Sequence, residues 1–316
     1  MVTMGNLTDS HLIIFLHIGK AGGSSIHSIL EKQYEGVGCY FTRGGPTDND
    51  DQRMSLLTAK EKEKIGLVRG HVNYGVHEFF PRPHIYITML RNPIERVISY
   101  YYFARRSPEH YLHEGCVKKW TLSDFIFQTT DNDNGQTRAL AGVEEFYSFR
   151  KDLVPFGKCS AEHLETAKRN LKRCAAIGLM ENFDESVILF KRVLGWTSPP
   201  LYAKQNVTND RPRLEDIPTE TIKLIEEQNK LDIELYKFAV ELFKEQVQRQ
   251  DSSFNLELEY FNLLNKLNHE TRQLTLKVEE IKNLSETIKA MRDSNSWRIT
   301  APLRWVKGMI TRKLLA

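Results

Sequence analysis

Two hydrophobic periods alternate along the chain. Leu12 to Ile18 (LIIFLHI) is a continuous apolar run rich in β-branched residues, the pattern of a strand covered on both faces. A glycine-containing loop, Gly19 to Gly23, follows it. Ser24 to Tyr34 then carries Ile26, Ile29 and Leu30 at helical spacing, with Ser24 or Ser25 as candidate N-cap. The same sequence of elements recurs downstream. Ile85 to Leu90 (IYITML) predicts a second buried strand. Pro93 stands where a first helical turn should begin, and Ile94, Val97, Ile98 and Tyr101 trace one apolar helix face. Further strands are predicted at Gly66 to Val72 and Ala175 to Met180, and helices at Leu122 to Gln128, Ala161 to Arg173 and Asp184 to Leu194. Strands alternating with helices predict an α/β fold, a mainly parallel sheet flanked by helices, whose ligands sit beyond the carboxyl ends of the strands.

The polar stretches Gly44 to Asp51 and Leu201 to Leu214 predict loops. Pro218 and Thr219 open a helix expected to run to about Arg249. Beyond Tyr260, Leu267, Leu274, Ile281 and Ile288 recur every seven residues, a coiled-coil signal that Thr271, Ser285 and Arg292 interrupt. The expected organisation is a main domain over residues 1–250, a helical coiled-coil-like extension over 251–295, and a basic tail over 296–316 containing Trp297 and Trp305. The extension suits self-association, and the tail suits a membrane surface or a partner.

Composition narrows the picture modestly. The chain has 316 residues, 41% of them hydrophobic and 27% charged, enough to bury a full core. A formal net charge of +3 is too small to argue for nucleic acid. Cys39, Cys116, Cys159 and Cys174 form no C-x-x-C pair, so neither zinc nor a redox dithiol is predicted. The first apolar run is too short for a signal core and has no basic leader, which sets the expectation of a cytoplasmic protein, at the inner face of the membrane if the tail docks there.

Chemistry concentrates in the two strand-to-helix loops. Lys20-Ala21-Gly22-Gly23-Ser24-Ser25 places glycines, a lysine and a helix start together. Glycines let backbone approach an anion, and the N–H groups and dipole of the helix attract one. The lysine precedes the glycine pair, so this is not the GxxxxGK[ST] order of a Walker loop. In the second loop Arg91 ends the strand and Ser99 lies two turns into the helix. A guanidinium can hold a phosphate through two parallel hydrogen bonds, and a serine hydroxyl can add one. Arg96, between them, is expected to be structural.

These strings resemble the phosphate-binding segments of sulfotransferases that use 3'-phosphoadenosine-5'-phosphosulfate (PAPS). The first loop is similar to their 5'-phosphosulfate loop, with Gly19 in place of a proline and Ala21 in place of a common threonine. Arg91 and Ser99 match the pair that holds the 3'-phosphate. The R-x-P-x-x-R-x-x-S-Y spacing is the more specific of the two and most resembles the uronosyl 2-O-sulfotransferases of heparan and dermatan sulfate. The resemblance implies a P-loop-NTPase-like sulfotransferase fold, PAPS as co-substrate, no metal, and a carbohydrate acceptor.

In the same family a Gly-His-Val segment supplies the catalytic base, and Gly70-His71-Val72 matches it, with Arg69 where the family has another histidine. Neutral imidazole can take the proton of an attacking hydroxyl. Lys20 would stabilise charge on the leaving phosphate. Gln136 and Arg138 are candidates for acceptor contact, with structural capping as the alternative. Glu181 is a candidate structural acceptor. Asn206, Thr208 and Arg211 match the loop that covers the nucleotide. His110 and His113 are expected to be exposed. The segment Ser107 to Gly115 lacks the arginine cluster of the heparan enzymes, which points to a less charged glycan. The tail resembles the ends of bacterial surface-polysaccharide enzymes. A P-loop nucleotide kinase and an inactive nucleotide-binding assembly protein stand as the alternatives.

Overall fold

The structure is a computed structural model that describes residues 10–42, 50–143, 154–203, 212–293 and 300. Contacts divide the chain into two units, Met1–Asn262 and Leu263–Ala316. The first contains a five-stranded sheet: β1 (Leu12–Leu16), β2 (Gly38–Thr42), β3 (Ile65–Gly70), β4 (His84–Leu90) and β5 (Ala176–Leu179). The spatial order is β2-β3-β1-β4-β5 and every pairing is parallel. All five residues of β1 are buried, as a central strand covered on both faces requires.

The strand order reverses between β1 and β4. The chain leaves β1 toward β2 and leaves β4 toward β5, so the two departing loops diverge and open a crevice. Those loops are the two that carry the Lys20–Ser25 and Arg91–Ser99 motifs. The helix Gly23–Gln33 follows the first and the helix Pro93–Arg106 the second. Asn92 caps the latter, its side-chain oxygen accepting from the N–H groups of Ile94 at 3.0 Å and Glu95 at 3.3 Å, with Pro93 at the first helical position.

Several expected boundaries move. Residue 50 begins a short helix, Asp50–Leu56, where a loop was expected. The predicted helix from Pro218 to Arg249 is two helices, Thr219–Gln228 and Lys230–Gln248, broken at Asn229. Asn229 is fully buried, and its side chain accepts from the Asn134 N–H at 3.3 Å and donates to the Ile225 carbonyl at 3.0 Å. A polar side chain engaged in this way competes with the regular ladder. The second unit contains most of the long helix Ser253–Asp293, over which the heptad pattern falls.

A buried polar stretch, residues 129–138, joins the crevice to the helix Lys230–Gln248. Thr130, Asp131, Asn132, Asp133, Gln136 and Arg138 are all nearly inaccessible. The fully buried Asp232 carboxylate accepts from the N–H groups of Gln136 at 3.0 Å and Thr137 at 2.7 Å, capping the helix Gly135–Ala141 from outside. Buried donors deprived of a partner are costly. Asp232→Ala should therefore lower the unfolding free energy by about 3 kcal/mol, read from urea titration of the folded chain. A loss below about 0.5 kcal/mol would mean that solvent replaces the carboxylate.

Candidate functional site

Local backbone explains why His71 leaves the sheet where it does. Gly70 has φ +125°, and a Cβ there would meet the Thr42 carbonyl at 2.0 Å. Only glycine turns the chain at that point. Thr42 then holds the turned segment, its hydroxyl donating to the His71 carbonyl at 3.0 Å while its carbonyl accepts from the His71 N–H at 3.3 Å.

The His71 ring stacks on that of His17, with centroids 4.3 Å apart at 27°. His17 in turn hydrogen-bonds through Nδ1 to Nε2 of His27 at 3.0 Å. On its other side His17 rests against the first turn of the helix Gly23–Gln33: a Cβ on Gly23 would lie 1.8 Å from His17 Nε2. Gly23 is thus required by the imidazole as well as by any anion. The N-cap of this helix is Gly22, in the left-handed conformation at φ 80°, rather than Ser24 or Ser25. Ser24 is exposed and Ser25 partly so, both in the first turn.

Lys20 also takes a left-handed conformation, φ 66°, uncommon for a side chain with a Cβ. Its ammonium lies 3.6 Å from the centre of the Phe103 ring. Burial, then the nearby Arg106 and Arg91 guanidinium groups, push its pKa down to about 7, and Asp131 opposes them. Arg91 donates to the Lys20 carbonyl at 3.1 Å and pairs with Glu95 at 3.2 Å, so the second motif directly braces the first. Ser99 lies partly exposed on the helix that follows Arg91.

Burial lowers the His71 pKa to about 4, with Lys20 and His110 acting the same way, while Asp131 and a hydrogen bond to the His17 backbone raise it. Burial likewise takes His27 down to about 3 and His17 well below its ordinary value. All three imidazoles are therefore neutral near pH 7, the state in which a histidine can accept a proton. The groups converge at the carboxyl ends of the central strands. Lys20, Arg91 and His71 belong to one cluster, with Asp131 and His110 acting on it.

Sequence reasoning missed His17, Asp131 and His110. A polar residue closing a buried apolar strand just before a glycine loop was the available signal for His17. His110, expected to be exposed, is half-buried against Tyr100, Phe103 and Tyr111. Burial, then Lys20, lowers its pKa to about 4. His113 is half-buried as well, its Nδ1 3.0 Å from the Ala104 carbonyl.

Gln136 and Arg138, candidates for acceptor contact, are fully buried. The Gln136 amide clamps the Arg91 backbone, accepting from its N–H at 3.0 Å and donating to its carbonyl at 2.9 Å. Arg138 pairs with Asp133 and donates to the carbonyls of Val154 and Pro155. Their geometry is that of the structural alternative. Glu181 accepts from the Asn92 N–H at 2.9 Å and the Tyr236 hydroxyl at 2.7 Å. Arg69 turns away to Glu31 at 2.7 Å and the Phe41 ring. Asn206, Thr208 and Arg211 lie outside the described residues. Among the described residues no group of three or more metal ligands occurs.

Fold and site together define a parallel α/β protein whose switch-point crevice holds Lys20, Arg91 and a neutral histidine. Residues 58–295 match the galactose-3-O-sulfotransferase family, and the chain belongs to that family of carbohydrate sulfotransferases. The chain is similar to heparan-sulfate 6-O-sulfotransferase 1 of Homo sapiens, 30% identical over 190 residues, 53% of this chain and 45% of that protein. It is similar to heparan-sulfate 6-O-sulfotransferase 1-A of Danio rerio, 29% identical over 268 residues, 72% of this chain and 64% of the relative. Heparan-sulfate 6-O-sulfotransferase 2 of Gallus gallus is 27% identical over 282 residues, 77% and 69% of the two chains. The chain spans about half the length of the human relative. Among solved structures, mouse sulfotransferase SULT7A1 complexed with PAP aligns with 80% of this chain and 89% of its own, at 16% identity and a TM-score of 0.35.

The Gly23 contact can be tested directly. Gly23→Ala should displace the His17 ring and with it His71. The His17 and His71 imidazole signals should move in a histidine-selective NMR spectrum while the unfolding midpoint changes little. An unchanged spectrum would show that the loop accommodates the methyl group without the imidazole stack.

Proposed function

We propose that this protein transfers a sulfuryl group from PAPS to a hydroxyl of a carbohydrate, with His71 as general base. The observation that carries the reading is the meeting of Lys20, Arg91 and His71 at one crevice of the sheet. Family membership supports it, and so does the chemistry of the loop. Burial, and then the Arg106 and Arg91 guanidinium groups, depress the lysine, and a polyanionic ligand would relieve the part that comes from repulsion. The Gly22–Gly23 helix start adds backbone N–H groups and a favourable dipole.

The co-substrate supplies an activated sulfuryl group on a phosphate leaving group. In this reading the loop from Lys20 to Ser25 binds its 5' end, and Arg91 with Ser99 binds its 3'-phosphate. His71, neutral and oriented by its stack on His17 and the hydrogen bond to the His17 backbone, takes the proton of the acceptor hydroxyl. Asp131 raises the proton affinity of His71 and so favours the imidazolium that forms. Lys20, when protonated, stabilises charge developing on the leaving phosphate. Asn206, Thr208 and Arg211 complete the nucleotide site in this proposal.

The acceptor is read as an oligo- or polysaccharide. The curated relatives are named as 6-O-sulfotransferases, whereas the segments around His71 and Arg91 resemble the 2-O type. A panel of desulfated and partly sulfated glycans incubated with radiolabelled PAPS, followed by linkage analysis of the product, separates the two. The setting proposed is the cytoplasm, at the inner face of the membrane if the basic tail docks there. Among the described residues no helix is long and apolar enough to cross a membrane.

Two measurements test the reading. His71→Ala should lower turnover by roughly 10²–10⁴-fold and leave calorimetric affinity for 3'-phosphoadenosine-5'-phosphate unchanged. Full turnover with normal nucleotide binding would remove the base assignment, and preference for ATP over that nucleotide would favour a kinase.

The second measurement concerns protons. Lys20 titrates near pH 7 without ligand, and a bound phosphate raises its pKa. At pH 8 the lysine is then mostly neutral before binding and charged after it. Binding of 3'-phosphoadenosine-5'-phosphate should take up about one proton, measured by calorimetry in buffers of different ionisation enthalpy. Lys20→Met should abolish the uptake. Proton release, or uptake unchanged in the variant, would place the nucleotide elsewhere.

A further inference from the structure

The helix Ser253–Asp293 presents a row of large apolar side chains to solvent within the second unit. Leu263, Leu267, Leu274, Ile281, Leu284 and Ile288 are 57, 50, 64, 66, 55 and 51% exposed. They alternate at spacings of four, seven and three residues along one stripe, the a and d positions of a heptad pattern. Among the described residues nothing covers this stripe. Tertiary burial of an apolar face supplies most helical stability in proteins, and an uncovered stripe lacks that support. Single exposed leucines are ordinary on a protein surface, whereas a continuous row marks an interface.

Charge decides which partner fits. Two positions of the same stripe are occupied by Glu270 and Lys277, both exposed. In a parallel, in-register pair of copies, equivalent d positions face each other. Glu270 would then meet its own counterpart, and Lys277 its own. In an antiparallel pair a layers face d layers. With the symmetry centre between Thr275 and Leu276, Leu263 lies opposite Ile288 and Leu267 opposite Leu284. Leu274 and Ile281 then lie against the aliphatic stems of Lys277 and Glu270, whose charged ends can reach solvent. Lys277 of one copy comes within about one helical turn of Glu270 of the other, roughly 6 Å along the axis. One register thus covers the apolar stripe and converts both like-charge clashes into attraction.

We propose that this helix pairs antiparallel with the same helix of a second copy of the chain, centred between Thr275 and Leu276. The interface is self-complementary, as a two-fold dimer requires. The pairing is independent of the catalytic reading, so failure of either leaves the other standing.

Sedimentation equilibrium of the full chain, with lysine cross-linking by a short amine-reactive reagent and peptide mapping, tests it. Lys266 and Lys289 are about 34 Å apart along one helix, from a rise of 1.5 Å per residue, beyond the reach of such a reagent within a chain. Antiparallel pairing brings Lys266 of one copy beside Lys289 of the other. The expected result is a dimer whose mapped link joins these two residues, and joins heavy- to light-labelled peptides when isotopically distinct chains are mixed. Glu270→Lys alone should weaken the dimer at least tenfold, and adding Lys277→Glu should restore it. A monomer at micromolar concentration, with the stripe covered by another segment of its own chain, overturns the proposal. Links of Lys266 to Lys266 and of Lys289 to Lys289, or a double charge swap that remains weak, would instead mean parallel pairing and overturn it equally.

Discussion

The crevice depends on one buried ion pair. Arg96 is fully inaccessible, and its guanidinium donates to the Asp131 carboxylate at 3.1 Å, to the Asp131 carbonyl, and to the Gly19 carbonyl at 3.4 Å. One side chain on the helix after β4 thereby fixes both the loop after β1 and the buried polar stretch at residues 129–138. Pairs of this kind contribute little net stability, because desolvation offsets much of their attraction. They do specify geometry, since removing either partner strands the other charge in the interior. The close fit extends to Gly135, where a Cβ would lie 2.6 Å from Arg96 Nη2 and 2.7 Å from the Asp131 carboxylate. Asp131 therefore does two things with one carboxylate: it neutralises Arg96, and its field still raises the proton affinity of Lys20 and His71.

A second constraint acts through packing. The first turn of the helix after β1 touches His17, and His17 touches His71. The loop after β1 and the candidate base thus both touch one imidazole, that of His17. His17 needs no proton transfer of its own to matter. Its hydrogen bond to His27 fixes its orientation, and burial keeps it neutral, so it stacks on His71 without adding charge. A displacement of the loop would reach His71 through direct contact.

The sequence made the two strand-loop-helix units legible because each is local. An apolar run, a glycine pair or a proline, and a helical stripe all fall within about twenty residues of one another. Lys20, Arg91 and Ser99 were picked out from these units and His71 from its resemblance to the family's Gly-His-Val segment, and the structure brings Lys20, Arg91 and His71 together. Residues whose role comes from distant partners were not legible in this way. Gln136 looks like a polar residue on a helix until its amide is seen clamping Arg91, 45 positions earlier. Arg138 looks like a ligand-binding cation until Asp133 and two carbonyls are found around it. The break at Asn229 has the same origin, since an apolar stripe runs through both helices and the interruption answers to Asn134, 95 residues away. His110 was misjudged because its neighbours Tyr100 and Phe103 come from the preceding helix, folded back over it.

What remains is the charge balance of the crevice. Lys20 stands among Arg91 and Arg106, with Asp131 acting against them. Burial, and then those two guanidinium groups, bring the Lys20 pKa down to about 7, so the lysine is about half protonated at neutral pH. Burial is the first cause of the low proton affinity of His71, and Lys20 lowers it further while Asp131 raises it. An anion at the loop would therefore act on His71 in two opposed ways: its own charge raises the proton affinity of the imidazole, and the proton it holds on Lys20 lowers it. The charges on Lys20 and His71 are thus coupled, and Asp131, which raises the proton affinity of both, favours the ammonium and the imidazolium together.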